Sequence, residues 1–124
     1  MTSQPLVLVI EDNVDAADSM REILELEGHE VAVAYDGPKG LASAREFRPE
    51  VVICDVGLPG MDGYEVARSF RRDGALKDAC MVALSGYALS EDRQRAAEAG
   101  FDHHLAKPVD LNRLEIILRA TPLR

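Results

Sequence analysis

Five short segments rich in Val, Ile and Leu recur along the chain: Leu6–Ile10, Val31–Tyr35, Val51–Cys54, Met81–Leu84 and Phe101–Leu105. Their length and composition predict strands. Between them the apolar positions take helical spacing. Ala17, Met20, Ile23 and Leu24 fall on one face, with Gly28 where a left-handed helix cap would sit. Asp36 followed by Gly37 and Pro38 opens a second helix, which Pro49 closes off. Ser90 is placed to cap a helix that stops at Gly100, and Asp110 precedes a stripe of Leu111, Leu114, Ile117 and Leu118. Strand followed by helix, five times over, predicts an α/β fold: a doubly wound parallel sheet with helices on both faces. The strands are nearly continuous in apolar residues instead of alternating, as expected for a sheet covered on both sides.

Length fits this picture. At 124 residues with 47% apolar and 29% charged residues, the chain has the size and core of one domain, expected to span 1–124 with its core at about 5–120. The last predicted helix reaches about Ala120, so no output domain is expected. Charge narrows the partners: 14 Lys and Arg against 22 Asp and Glu give a net charge of −8, which repels nucleic acid backbones and anionic bilayers. Leu6–Ile10 is too short for a membrane span or a signal-peptide core and is followed directly by Glu11 and Asp12. A cytoplasmic protein is expected. Cys54 and Cys80 both lie in apolar runs and read as reduced core residues, not as a disulfide framework.

The chemistry collects just after the strands. In an open parallel sheet the functional crevice lies beyond the carboxyl ends of the strands. Here the first strand ends in Glu11-Asp12, the third in Asp55, the fourth in Ser85-Gly86 and the fifth in Lys107-Pro108. If the first and third strands are neighbours, three carboxylates and one ammonium share a pocket, leaving −2. Two like charges about 4 Å apart repel by about 4 kcal/mol at an effective dielectric near 20, so the cluster calls for a counterion or a raised pKa. Oxygen-only ligands favour a hard ion, and two or three carboxylates with room for water suit Mg²⁺ better than zinc. A phosphoryl group transferred to Asp55 would replace −1 by roughly −2, and with the divalent ion the pocket would carry about −1. The Ser85 hydroxyl and loop amides can solvate such a charge. A carboxylate is an ordinary phosphoryl acceptor, and the transfer asks mainly for positioning and charge stabilisation.

Four motifs in this order carry a resemblance: VLVIEDN at Val7–Asn13, DVGLPGMDG at Asp55–Gly63, ALSG at Ala83–Gly86, and AKP at Ala106–Pro108. Over essentially its whole length the chain resembles the receiver domain of two-component response regulators. The resemblance implies a flavodoxin-like sheet of order 2-1-3-4-5 with five helices, and a regulatory phosphoacceptor that catalyses only its own phosphorylation and dephosphorylation. Asp55 would accept the phosphoryl group from a histidine kinase or histidine phosphotransfer protein. Asp12 and Asp55 would bind Mg²⁺ directly, the Gly57 carbonyl would add a backbone ligand, and Glu11 would act through water. Lys107 would pair with phosphoryl oxygens and Ser85 would hydrogen-bond one of them. The Lys107–Pro108 bond would be cis. A downstream protein partner would dock on roughly Ala88–Ala120.

The chain also departs from the family pattern. Three residues before Lys107, where the family often carries Tyr or Phe, stands His104, so signalling by an aromatic swing gives way to a polar switch or to none. His103 should face the other side of the sheet, which disfavours a two-histidine metal site. Tyr87, two residues beyond Ser85, is placed to shield an acyl phosphate that the side-chain-free Gly57 cannot help hydrolyse, so a phosphorylated lifetime away from the family's short end is expected. Gly57, Gly60 and Gly63 match no dinucleotide or P-loop fingerprint and read as one shaped loop. Arg68, Arg71, Arg72 and Lys77 read as a solvated face. Two rival functions remain: a phosphate-independent adaptor on the same scaffold, and a Mg²⁺-dependent phosphohydrolase, which would want a second aspartate where Gly57 stands.

Overall fold

The computed structural model describes residues 4–86 and 90–121, with the backbone alone described at Ser90. Strands β1 (Leu6–Ile10), β2 (Glu30–Ala34), β3 (Val51–Asp55), β4 (Cys80–Ser85) and β5 (His103–Ala106) alternate with helices α1 (Val14–Leu26), α2 (Gly37–Phe47), α3 (Gly63–Arg72), α4 (Ser90–Ala99) and α5 (Leu111–Ala120). The strands form one sheet of order β2-β1-β3-β4-β5, and every pairing is parallel. The expected α/β fold and strand order are both present.

Alternate residues of the central strands go to opposite cores, which explains why the strands look uniformly apolar. Leu8, Ile10, Val52, Cys54, Met81 and Ala83 pack under α2, α3 and α4, meeting Leu41, Ala44, Val66, Phe70 and Ala96. Val7, Val9, Val51, Ile53, Val82 and Leu84 pack under α1 and α5, meeting Ala17, Leu24, Leu114 and Leu118. With every β3 residue buried, any polar group placed on that strand is enclosed by the fold itself.

Capping side chains set the helix starts, Asp36 and Asp110 as the sequence implied and Asn13 and Asp62 in addition. Asn13 accepts from the Ala16 N–H at 3.0 Å, Asp36 from Lys39 at 2.7 Å, Asp62 from Glu65 at 3.0 Å and Asp110 from Asn112 at 2.9 Å. Three local expectations need correction. Ser90 is the first residue of α4 and not the residue before it. β5 starts at His103, because the Phe101 N–H turns back to the Ala96 carbonyl at 3.0 Å, completing the end of α4 around a left-handed Gly100. Ile23 and Leu111 are exposed, so the buried stripes centre on Ala17 and Leu24 in α1 and on Leu114 and Leu118 in α5. Gly28 does take positive φ, at 95°. Both cysteines are free, Cys54 buried and Cys80 half-buried.

Candidate acidic phosphoacceptor site

The parallel register brings the strand ends to one edge of the sheet. Ile10 lies opposite Cys54, so Glu11 and Asp55 leave neighbouring strands together, and Ser85 lies opposite Ala106, one residue before Lys107. Carboxylate oxygens of Glu11, Asp12 and Asp55 all lie within 4.8 Å of one another. The Lys107 ammonium reaches across to Glu11 Oε1 at 2.9 Å and Asp55 Oδ2 at 3.1 Å. It is held by the turn after β5, where the Lys107 N–H donates to the Ser85 carbonyl at 2.8 Å and the Lys107–Pro108 bond is cis.

Each acid has a different environment. Glu11 is 5% exposed and Asp55 8%, whereas Asp12 is open to solvent. The second oxygen of Asp55 accepts the Gly57 N–H at 3.0 Å, so both oxygens of that carboxylate are held, one by an amide and one by an ammonium. Glu11 Oε2 accepts the Asn13 N–H at 3.2 Å. Burial pushes the Glu11 carboxyl above the usual range, and the charge of Asp55 adds to this. Hydrogen bonds from Lys107 and Asn13 oppose it without cancelling it. Burial pulls the Lys107 ammonium down, but its hydrogen bonds and charge interactions with Glu11 and Asp55 outweigh that and leave it above its ordinary value. The two directions agree: two buried acids share one cation, so the acid is under-compensated and the cation over-compensated. Burial, with Asp55, Glu11 and Asp62 nearby, pushes the neighbouring Cys54 thiol far up.

The donor set is wholly oxygen, net negative, and open on the Asp12 side. That chemistry fits a hard divalent cation and not a thiolate or imidazole-binding metal. Ser85 is buried at the end of β4 on the same edge. Gly57 lies in the loop after β3, whose chain passes through a left-handed Gly60 to α3. Tyr87 and Ala88 lie outside the described residues. Two contributors escape a reading of the sequence. Asn13 both caps α1 and fixes Glu11. Gly63 brings the first turn of α3 against the backbone of Asp55: its N–H donates to the Val56 carbonyl at 3.1 Å, and a Cβ there would lie 2.5 Å from the Asp55 carbonyl oxygen. A glycine directly after a capping aspartate was the available signal.

A family model for the response regulator receiver domain matches residues 7–119. The chain belongs to this family. It is a receiver domain whose role is that of a phosphoacceptor in two-component signalling. An uncharacterized 14.6 kDa protein of Leptolyngbya boryana is 38% identical over 104 residues, covering 84% of this chain and 79% of that protein. Transcriptional regulatory protein PrrA of Mycobacterium tuberculosis is 36% identical over 118 residues, covering 95% of this chain and 50% of PrrA. This receiver thus spans about half the length of that relative. Among solved structures, the chemotaxis protein CheY4 of Vibrio cholerae superposes with a TM-score of 0.89 at 28% identity, covering 97% of this chain and all of that one. The receiver domain of sensor histidine kinase PA1611 from Pseudomonas aeruginosa, with a magnesium ion coordinated in its active-site cleft, gives a TM-score of 0.84 at 30% identity, covering 94% and 96%. Among the described residues of this receiver, no helix is long and apolar enough to cross a membrane.

Proposed function

We propose that Asp55 is the phosphoacceptor of this receiver, and that residues from about 5 to 120 form the working module, acting in the cytoplasm. The donor is the phosphohistidine of a histidine kinase or phosphotransfer protein. An Asp55 carboxylate oxygen forms the new O–P bond, the N–P bond of the donor breaks, and the departing imidazole nitrogen keeps the electron pair. The observation that carries this reading is the double tether of Asp55, with Gly57 N–H on Oδ1 and Lys107 on Oδ2, inside an acidic cluster. Tethering fixes the attacking group, so little orientational freedom remains to be lost in the transition state.

Glu11, Asp12, Asp55 and the Gly57 carbonyl are the residues to hold Mg²⁺, Glu11 through water. When bound, the ion offsets the charge that the transferred phosphoryl group brings. Lys107 is within reach to exchange its bond with Asp55 for one with a phosphoryl oxygen, and Ser85 supplies a hydroxyl donor on the same edge. The same groups support self-catalysed phosphorylation by a small donor and self-dephosphorylation, with the region of Ala88–Ala120 as the partner-binding side. A phosphate-independent adaptor would have no need to bury two acids beside one lysine at a cost in repulsion. A phosphohydrolase lacks its second acid, because Gly57 occupies that place.

The test is labelling by acetyl phosphate and by a panel of histidine kinases in the presence of Mg²⁺. Wild-type protein takes up acid-stable but base-labile label, Asp55→Asn abolishes it, and Lys107→Ala leaves slow uptake. Label retained in Asp55→Asn overturns the assignment.

A further inference from the structure

We propose that the free edge of β2 is a strand-addition site for an extended segment of a partner protein that alternates basic and apolar side chains. The segment pairs with β2 and turns its bases toward acids on α1. This site is separate from the acidic cluster and does not rest on the phosphoacceptor reading.

β2 is the outermost strand on its side of the sheet, with β1 as its strand neighbour. Along a strand, the N–H and C=O of one residue point to one side and those of the next residue to the other. The Ala34 carbonyl accepts the Glu11 N–H at 3.0 Å, so Ala34 and Ala32 face β1 while Val33 and Val31 turn their backbone groups outward. Unpaired edge groups are a template for a further strand, which proteins commonly blunt with lysine, proline or a bulge on the strand itself. The edge sequence EVAVA has neither lysine nor proline, and its register with β1 runs residue for residue without a bulge. Its one charge, Glu30, stands at the entry. Space beside the edge comes from α2. Lys39, Ala42, Ser43 and Glu46 share one face of that helix by their spacing, and with Val33, Ala34 and Tyr35 they line a groove of about 260 Å³. The small side chains of Ala42 and Ser43 leave the strand uncovered there.

Charge selects the occupant. On the flank opposite the groove, the Tyr35 hydroxyl donates to Asp18 at 2.9 Å and so marks the side of α1 that borders the edge. Glu22 and Glu25 follow on the same helix face, four and seven residues on, and both are exposed. None of these three acids has an ion pair among the described residues. Arg21, within range of Tyr35, offsets one charge of the three. At the groove end Glu46 adds another, while Lys39 leans toward Asp36 at 4.0 Å. The edge is therefore a strand template in an acidic frame. A second copy of β2 paired about a two-fold axis would set Asp18, Glu22 and Glu25 against their own counterparts, and an acidic segment would meet the same repulsion. Nucleic acid is repelled by the net charge of −8 and has no amides to pair with Val31 and Val33. A strand added at the usual spacing of about 4.8 Å sends alternate side chains to opposite flanks. Lysine or arginine at every second position then meets the α1 acids, and the apolar residues between them enter the groove beside Ala42 and Ser43. Main-chain hydrogen bonds supply the affinity of this mode and alternate side chains its selectivity.

The probe is a short peptide alternating lysine and valine, capped at both ends and titrated into the full chain, with hydrogen exchange read by NMR. Saturation should slow exchange of the Val31 and Val33 amides by about tenfold or more and leave the Ala32 amide, already facing β1, unchanged. The glutamate–valine counterpart should bind at least about tenfold more weakly. Two N-methylated forms of the lysine peptide, one methylated on its lysine amides and one on its valine amides, separate strand pairing from charge attraction. One edge of an added strand faces β2, so one form loses binding and the other keeps it. In the protein, Glu22→Lys with Glu25→Lys should weaken binding by at least about tenfold with an unchanged circular dichroism spectrum, since both positions are exposed. Val33→Pro removes an outward donor at an edge position where proline is tolerated and should also weaken binding. The charge-reversed pair keeps the test decisive if the proline variant does not fold. Unprotected Val31 and Val33 amides, equal behaviour of the two methylated peptides, or binding indifferent to the charge reversal would overturn the proposal.

Discussion

Gly63→Ala is a single added methyl group whose cost can be worked from the backbone alone. The new Cβ would lie 2.5 Å from the Asp55 carbonyl oxygen, 2.5 Å from Val56 Cα and 3.1 Å from the Asp55 carbonyl carbon. Carbon atoms in contact prefer about 3.5–4.0 Å, so roughly 1 Å must open between the first turn of α3 and the end of β3. No rotamer can relieve the clash, because all three of these neighbours are main chain. Overpacking of this kind costs about 1–3 kcal/mol, and a rigid neighbour puts it in the upper part of that range. The better helix propensity of alanine returns less than about 1 kcal/mol in a first turn. A net loss of about 1–2 kcal/mol lowers the melting temperature of a domain this size by roughly 4–10 °C. The same 1 Å displaces the acceptor carboxylate, and misplacement on that scale can slow a reaction by about 100-fold. Thermal melts in EDTA read the first effect, and labelling by acetyl phosphate well below the melting temperature reads the second. Gly74→Ala is the control: its Cβ meets nothing within 4 Å and its φ is not positive, so stability should stay within about 1 kcal/mol of wild type with labelling unchanged. A Gly63→Ala protein as stable and as readily labelled as wild type would refute the claim that α3 abuts the acceptor backbone.

Three further outcomes follow from the site. Asp12→Asn removes one of three crowded acids that is itself exposed, so the metal-free protein should gain about 1 kcal/mol in urea titrations while its Mg²⁺ affinity, read by calorimetry, falls at least tenfold. Glu11 has a folded-state pKa above its ordinary 4.5, so between 4.5 and that higher value the native state holds a proton that the unfolded state has lost. Its contribution to stability therefore falls as pH rises through this window. Wild type minus Glu11→Gln in EDTA should show that negative slope, and a positive one would contradict the burial argument. Cys54 is fully buried with its thiol pushed far up, whereas Cys80 is half-buried and less shifted; iodoacetamide on native protein should label Cys80 slowly and Cys54 only on unfolding, as read by peptide mass spectrometry.

The sequence exposes the parts of this molecule that depend on short-range pattern. Leu6–Ile10 and Val51–Cys54 announce a doubly covered sheet because both faces of each strand are apolar, and the acids that follow them are legible because strand ends are where such sheets bind. What depends on residues far apart is not legible. Nothing local links Gly63 to the carbonyl of Asp55. Arg71 read as part of a solvated basic face. In the fold its guanidinium donates to the carbonyls of Lys77, Ala79 and Gly100 and to Asp102, joining the end of α3 to the entries of β4 and β5. Even the edges of β5 depend on context, since Phe101 has the composition of a strand residue and is used to finish α4.

Those long-range bonds give the two ends of the sheet opposite characters. At the amino ends of the strands, polar groups bind the elements together. Arg71 bridges three segments, Glu50 Oε1 accepts the Leu6 N–H at 2.9 Å, and His29 sits between the Pro5 carbonyl at 3.4 Å and Glu115 at 3.3 Å. At the carboxyl ends, two buried acids are held against one lysine with Asp12 close by, an arrangement whose repulsion a bound cation or a raised pKa relieves. Asp55 and Ser85 are the last residues of β3 and β4, so charge bound at that edge meets side chains carried by a frame fixed at the far edge. A buried charge cluster on a mobile frame would relax by spreading apart. On this one it is answered by a bound cation or by a raised pKa, the direction Glu11 takes.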